Sequence, residues 1–262
     1  VLDYKKYTYG SAIPSMSQGI LNEISLPYPI LKEQQKIAAF LDKKTAQIDS
    51  LLADTKQSIV ELKKYKQALI TETVTMGLNT DVKTKDSGIE WIGEIPEHWK
   101  LSRLKKIVKS PLQYGANESG EAFNEDEPRY IRITDITIDN KLKATGKLSL
   151  PLSIAKPYIL ADNDILFARS GATVGKTFLF KSEYGMSAFA GYLIKASILD
   201  NISAEYIYYY TLSYSYEKWK EQIFIQSTIQ NIGADRYSNL QIPIPMSREE
   251  QQQIVEYLDE KC

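Results

Sequence analysis

The chain has 262 residues, 43% hydrophobic and 25% charged, with a formal net charge of −1, which is the composition of an ordinary globular protein. Near neutrality argues against indiscriminate coating of nucleic acid, and no apolar run reaches the roughly 18 residues of a membrane span, so no membrane partner is expected. One histidine, His98, and one cysteine, Cys262, leave no pair for a disulfide and too few ligands for a zinc site, and suit a reducing, cytoplasmic setting.

From Lys32 to Met76 there is neither Gly nor Pro, and apolar residues recur at Ile37, Leu41, Ile48, Leu51, Leu52, Ile59, Leu62, Tyr65, Leu69 and Ile70. Spacings of three, four and seven predict one long helix over 32–77 with a narrow apolar seam. Lys43, Lys44, Asp54, Lys56, Lys63, Lys64 and Lys66 fall on the opposite face, and Gly77 and Asn79 end the helix. At about 1.5 Å per residue it spans roughly 65–70 Å. So narrow a stripe on so long a helix calls for a partner, with Leu41, Ile48, Leu52, Ile59, Leu62 and Leu69 as the pairing positions.

Residues 78–90 are polar and aperiodic, and predict a linker. Strand-like runs at 130–133, 164–168, 176–180 and 192–195 and a helix over Ala204–Gln222 then predict a mixed α/β domain over 91–245. Tyr206, Tyr209, Tyr210, Tyr216 and Trp219 follow helical spacing, which favours core packing over a base-stacking platform. Charge is uneven: Lys100, Arg103, Lys105, Lys106 and Lys109 form a basic stretch, and Glu118, Glu121, Glu125, Asp126 and Glu127 an acidic one. One face for nucleic acid and another for protein would look like this, as would two solvated segments.

One pattern occurs twice. Gly10-Ser11-Ala12-Ile13, Leu26-Pro27-Tyr28-Pro29-Ile30, Glu33-Gln34-Gln35-Lys36-Ile37 and Phe40-Leu41-Asp42-Lys43-Lys44 return as Gln226-Ser227-Thr228-Ile229, Ile242-Pro243-Ile244-Pro245-Met246, Glu250-Gln251-Gln252-Gln253-Ile254 and Tyr257-Leu258-Asp259-Glu260-Lys261. A period of about 200 residues means duplicated domains rather than the short repeats of a solenoid. Residues 1–31 read as the tail of a first unit and 246–262 as the start of a second long helix. The chain opens without Met and in mid-pattern, as a fragment would.

Four segments together resemble the specificity subunit of type I restriction–modification enzymes. They are Trp91-Ile92-Gly93-Glu94-Ile95-Pro96-Glu97-His98-Trp99-Lys100-Leu101, Tyr130-Ile131-Arg132-Ile133-Thr134-Asp135-Ile136, Asp164-Ile165-Leu166-Phe167-Ala168-Arg169-Ser170-Gly171 with Val174-Gly175-Lys176, and the duplicated Pro-x-Pro boundary. Their order carries the resemblance across nearly the whole chain. It implies a globular α/β target-recognition domain joined to a long helix that acts as a coiled-coil spacer. It implies a subunit that reads half of a split site on double-stranded DNA and docks methyltransferase subunits. Methyl transfer and ATP-driven cleavage would belong to partner modification and restriction/translocase subunits, so no catalytic residue, cofactor or metal is expected. With most of a second spacer helix missing, self-association through residues 32–76 is expected in its place.

Base readers are Arg, Lys, Asn and Gln, whose paired donors and acceptors match base edges. Candidate readers on expected loops are Arg169, Ser170 and Lys176; Gln226, Ser227, Thr228, Gln230 and Asn231; and Arg132 and Tyr114. Gly171-Ala172-Thr173-Val174-Gly175-Lys176-Thr177 has three residues between its glycines where a phosphate-binding loop has four, and strand-like Phe178-Leu179-Phe180 follows it, so it predicts a β-turn. His98 reads as a packing or surface residue. A coiled-coil adaptor with a globular head that binds protein and no DNA remains the alternative.

Overall fold

A computed structural model of the chain describes residues 8, 15–79, 81–137, 139–171, 173–225 and 231–262. It divides into two compact units, residues 1–60 and 61–262. In the first, α1 (Gln18–Asn22) is capped by Ser17, whose hydroxyl accepts from the Ile20 amide at 3.3 Å. Helix α2 (Leu31–Met76) follows, 46 residues within one residue of the predicted bounds, and belongs to both units. At its start the Gln34 side-chain amide donates to the Pro29 carbonyl at 2.7 Å. Leu41, Ile48, Leu52 and Ile59 are all about half exposed, from 47 to 57%.

The second unit is mixed α/β. Thr84–Asp86 (β1) pairs antiparallel with Glu94–Pro96 (β2), so the segment read as a linker carries a strand. All three of its side chains are exposed, and a strand with no buried face shows no alternation in sequence. Two four-stranded sheets follow. One has the order β4 (Gln113–Tyr114), β11 (Leu193–Ala196), β8 (Ile165–Ala168), β9 (Thr177–Leu179), all antiparallel. The other runs β10 (Ser187–Phe189), β6 (Arg129–Ile131), β7 (Leu148–Ser149), β5 (Glu121–Ala122), with β10 and β6 parallel. A ribbon of β3 (Lys100–Arg103) and β12 (Gln241–Ile244) carries the second Pro-x-Pro, where proline costs little because the ribbon has no third strand for it to serve.

Among the described residues the unit also has five α-helices: α3 (Leu152–Ala155), α4 (Ala204–Tyr210), α5 (Tyr214–Ile225), α6 (Ala234–Ser238) and α7 (Arg248–Lys261). The single helix expected over 204–222 is therefore two. Ser203 caps α4 through the Tyr206 amide at 3.1 Å, and Ser213 accepts from the Tyr216 amide at 3.3 Å, starting a new helix where the pattern had looked continuous. Tyr206, Tyr210 and Tyr216 are fully buried in the main core with Trp99, Phe167, Tyr237 and Leu258. They pack, and do not form a base-stacking platform.

The end of α2 is sunk into this core through Ile70 and Val74. The Tyr206 hydroxyl lies 3.0 Å from the Val74 carbonyl and 2.7 Å from that of Pro243, shared between the two. Helix α7 packs alongside, with Lys66 donating to the Cys262 carbonyl at 2.8 Å. Gln251, 2% exposed, accepts from the Ser203 amide at 2.8 Å and donates to the Pro245 carbonyl at 2.9 Å.

Replacing Gln251 by Ala strands both backbone groups away from water, at about 1–3 kcal/mol for each. Urea denaturation should register that loss, while Q252A at the exposed neighbour should stay within roughly 0.5 kcal/mol of the parent. Alkaline pH gives a second expectation. Burial raises the pKa of the Tyr206, Tyr210, Tyr216 and Tyr237 phenols, none of which is exposed. With the folded pKa above the unfolded value of about 10, the unfolded chain releases these protons first, so stability is full below about pH 10 and falls above it. Tyrosinate absorbance of this group should grow in together with loss of the circular dichroism signal. Ionisation of all 18 tyrosines in a chain that stays folded would contradict this.

Candidate nucleic-acid interface

Strand β8 is buried along its whole length, and Arg169 is the first residue to leave it. Its backbone is held on both sides: the Arg169 amide donates to the Tyr192 carbonyl at 3.0 Å, and the Ile232 amide donates to the Arg169 carbonyl at 2.8 Å. Ser170 and Asn231 form an antiparallel bridge beside it. The preceding carbonyl, of Ala168, accepts from the buried Tyr237 hydroxyl at 2.8 Å. The Arg169 side chain thus starts from a fixed point.

Its guanidinium lies over the ring of Tyr114, 4.9 Å from the centroid. Tyr114 is itself pinned, with its hydroxyl accepting from the Ala234 amide at 3.0 Å. The chain can approach here because the next residue is Gly115, where a Cβ would lie 2.4 Å from the carbonyl oxygens of Phe189 and Ala190. Among the described residues Arg169 has no salt bridge, and its Nε is sealed from water with no hydrogen-bond acceptor. Tyr192, 62% exposed, stands beside it on the β10–β11 turn.

Four segments therefore converge: 113–117, 169–171, 190–192 and 231–234. None contains Asp or Glu, although the acidic stretch begins at Glu118. The basic stretch lies one short helix away. Lys105 donates to the Asn239 side chain at 2.9 Å, just past the end of α6, and α6 begins at the Ala234 that holds Tyr114. At about 1.5 Å per residue, α6 is roughly 8 Å long. Lys100, Arg103 and Lys106 are exposed, while Lys109 is ion-paired with Asp200 at 2.5 Å.

The predicted readers thus fall into three groups. Tyr114, Arg169, Ser170 and Asn231 come together. Lys176 and Arg132 do not join them. Lys176 points its ammonium at the Ile136 and Thr137 carbonyls, and burial lowers its pKa. Arg132 makes a two-pronged pair with Asp135, at 2.7 and 2.9 Å, and donates to the Gly146 carbonyl at 3.0 Å; the bond to Asp135 raises its pKa. Both hold loops in place. Gln226, Ser227, Thr228 and Gln230 lie outside the described residues. Across the predicted β-turn at Gly171, β8 and β9 pair antiparallel.

Two features escaped the sequence reading, one beside this cluster and one away from it. Tyr192 was absorbed into a strand-like run, and its only signal was the glycine before it. Glu250 belongs to the repeated boundary motif: its carboxylate accepts from the Trp99 indole at 2.9 Å and lies 3.0 Å from His98 Nε2. It joins the start of α7 to the His98-Trp99 pair, which gives His98 a structural partner.

A family model for the type I restriction modification DNA specificity domain matches residues 1–61 and 96–260. Similar proteins include the type I restriction enzyme MjaVIII specificity subunit of Methanocaldococcus jannaschii, 25% identical over 97% of this chain and 59% of that protein. The EcoBI specificity subunit of Escherichia coli is 27% identical over 97% of this chain and 54% of its own length. The chain thus spans little more than half of these relatives. The fold is shared with a chain from a study of complex assembly and conformational transition of the type I R-M system, with TM-score 0.64 and 19% identity over 96% of this chain and 57% of the other. It is also shared with the HsdS subunit from Thermoanaerobacter tengcongensis, with TM-score 0.53 and 18% identity over 97% and 56%. With its own residues matched along most of its length, the chain belongs to the family of type I restriction–modification DNA specificity domains.

Proposed function

We propose that this chain is a sequence-specific DNA-recognition and scaffold subunit of a cytoplasmic type I restriction–modification complex, itself without catalytic activity. In this reading residues 91–245 form the recognition domain for one half of a bipartite site, and residues 32–77 form the spacer that docks methyltransferase subunits. A restriction/translocase subunit joins them in the full assembly. The observation that carries the reading is the acid-free convergence at Arg169, with Tyr114, Ser170 and Asn231 beside it and the exposed bases Lys100, Arg103 and Lys106 in the stretch whose Lys105 meets Asn239 just past α6. Fixed polar side chains suit base edges and mobile lysines suit phosphates.

The test is a salt titration of binding to random duplex DNA. Log affinity should fall linearly with log salt, with a slope of about −0.9 for each phosphate neutralised. Removing the exposed Lys106 as K106A should make the slope shallower by about one unit on every sequence. A response flat in salt would support the protein-binding adaptor instead.

The exposed stripe on α2 supports self-association. Leaving such side chains in water forgoes up to roughly 1.5–3 kcal/mol for each that a partner would fully bury. Sedimentation at tens of micromolar should show a dimer, and L41K with L52K should return it to monomer without changing the urea midpoint of the second unit. A monomeric parent at that concentration would rule the association out.

A further inference from the structure

We propose that Arg169 reads a guanine through the major groove and that Tyr114 is its positioning residue; this rests on the DNA-reading assignment above. An arginine that only grips phosphate has no need of a fixed plane, because a phosphate accepts donors from many directions. A base edge is different. Guanine presents two acceptors, O6 and N7, in one plane, and the flat fork of a guanidinium matches both together.

Arg169 is set up for that second task. Its backbone amide and carbonyl are both hydrogen-bonded, its guanidinium lies 4.9 Å from the Tyr114 ring centroid, and the ring is tied through its hydroxyl to the Ala234 amide. Among the described residues Nε is buried without an acceptor, and the two Nη groups form the fork. The two arginines on and beside β6 are engaged differently. Arg132 is consumed by Asp135, and Arg129 donates to the Lys143 carbonyl at 2.7 Å from a buried position.

The four bases separate cleanly on this fork. Adenine and cytosine each offer an amino donor that would face a donor, and thymine offers a single carbonyl. Only guanine satisfies both Nη groups. No carboxylate in the converging segments competes for the cation.

The experiment is selection of duplexes from a randomised library by the full chain, repeated with Arg169→Ala and Tyr114→Leu. The parent should select a site with one invariant G·C pair, and both variants should lose preference at that position alone. In the selected duplex, 7-deazaguanine at that position removes the N7 acceptor. It should weaken the parent about tenfold and leave the Arg169→Ala variant unaffected. Tyr114→Phe keeps the ring but loses its tie to Ala234, and should keep a weakened preference at that position. The 7-deazaguanine arm needs no variant to fold, so a misfolded Tyr114→Leu protein cannot hide the answer. An Arg169→Ala pool with the guanine intact, or an equal loss on all sequences as a phosphate grip would give, overturns the inference while leaving DNA reading in place. A parent that selects no sequence overturns the reading as well.

Discussion

A helix end buried in a protein core must have its last carbonyls answered, and much of the second unit is arranged around that requirement. The final turns of α2 carry Ile70 and Val74 into the main core, so water cannot serve the Val74 carbonyl. The Tyr206 hydroxyl does so, and because it also meets Pro243 it brings β12 to the same point. Thr71 accepts from the Tyr214 amide at 2.8 Å, which places the start of α5. Gly77 ends the helix with φ +80, and a Cβ there would lie 3.2 Å from the Trp99 indole. Three elements distant in sequence, α4, β12 and α5, therefore meet at one helix terminus.

The duplicated motif is best understood as two layers of bonding. The inner layer is local: Gln34 donates to Pro29, and Gln251 donates to Pro245. A proline carbonyl answered by a glutamine side chain forms in both copies, in surroundings as different as Tyr28 at 91% exposure and Ile244 at 6%. The outer layer is tertiary. In the second copy Gln251 also accepts from Ser203, and Glu250 accepts from Trp99. A short segment that folds by its own hydrogen bonds and then offers the same side chains to a domain is a natural connector between repeats.

Sequence made the long helix legible because nothing else explains such a stretch without Gly or Pro and with its apolar spacing. It did not reveal the break at Thr211–Ser213, since the apolar pattern runs through it and only the Ser213 hydroxyl marks the new start. Nor did it reveal β1, which buries nothing. For the candidate site, residue type was readable and engagement was not. Arg132, Lys176 and Arg169 look alike as cations near turns, yet Asp135 holds the first, backbone carbonyls hold the second, and an aromatic ring holds the third. Whether a cation is already spent depends on which carbonyls and carboxylates the fold brings near, and that is a long-range property.

The same point bears on charge. A chain with 32 basic and 33 acidic residues has no overall attraction for a polyanion, so any affinity must come from how the charges are distributed. The converging segments at Arg169 hold no carboxylate, and the acids of the stretch 118–127 begin just beyond them. Within those segments no neighbouring carboxylate offsets the Arg169 charge. Keeping the total near zero denies the protein a general grip on any duplex, and that matters for a reader, because specificity is the ratio of preferred to random binding and a strong uniform attraction raises both. In the DNA-reading function proposed here, discrimination would then come from side chains whose planes are fixed before DNA arrives. Among the described candidate readers, Arg169 on Tyr114 meets that condition most fully, and the stacking that fixes it uses a neutral ring where an ion pair would have cancelled its charge.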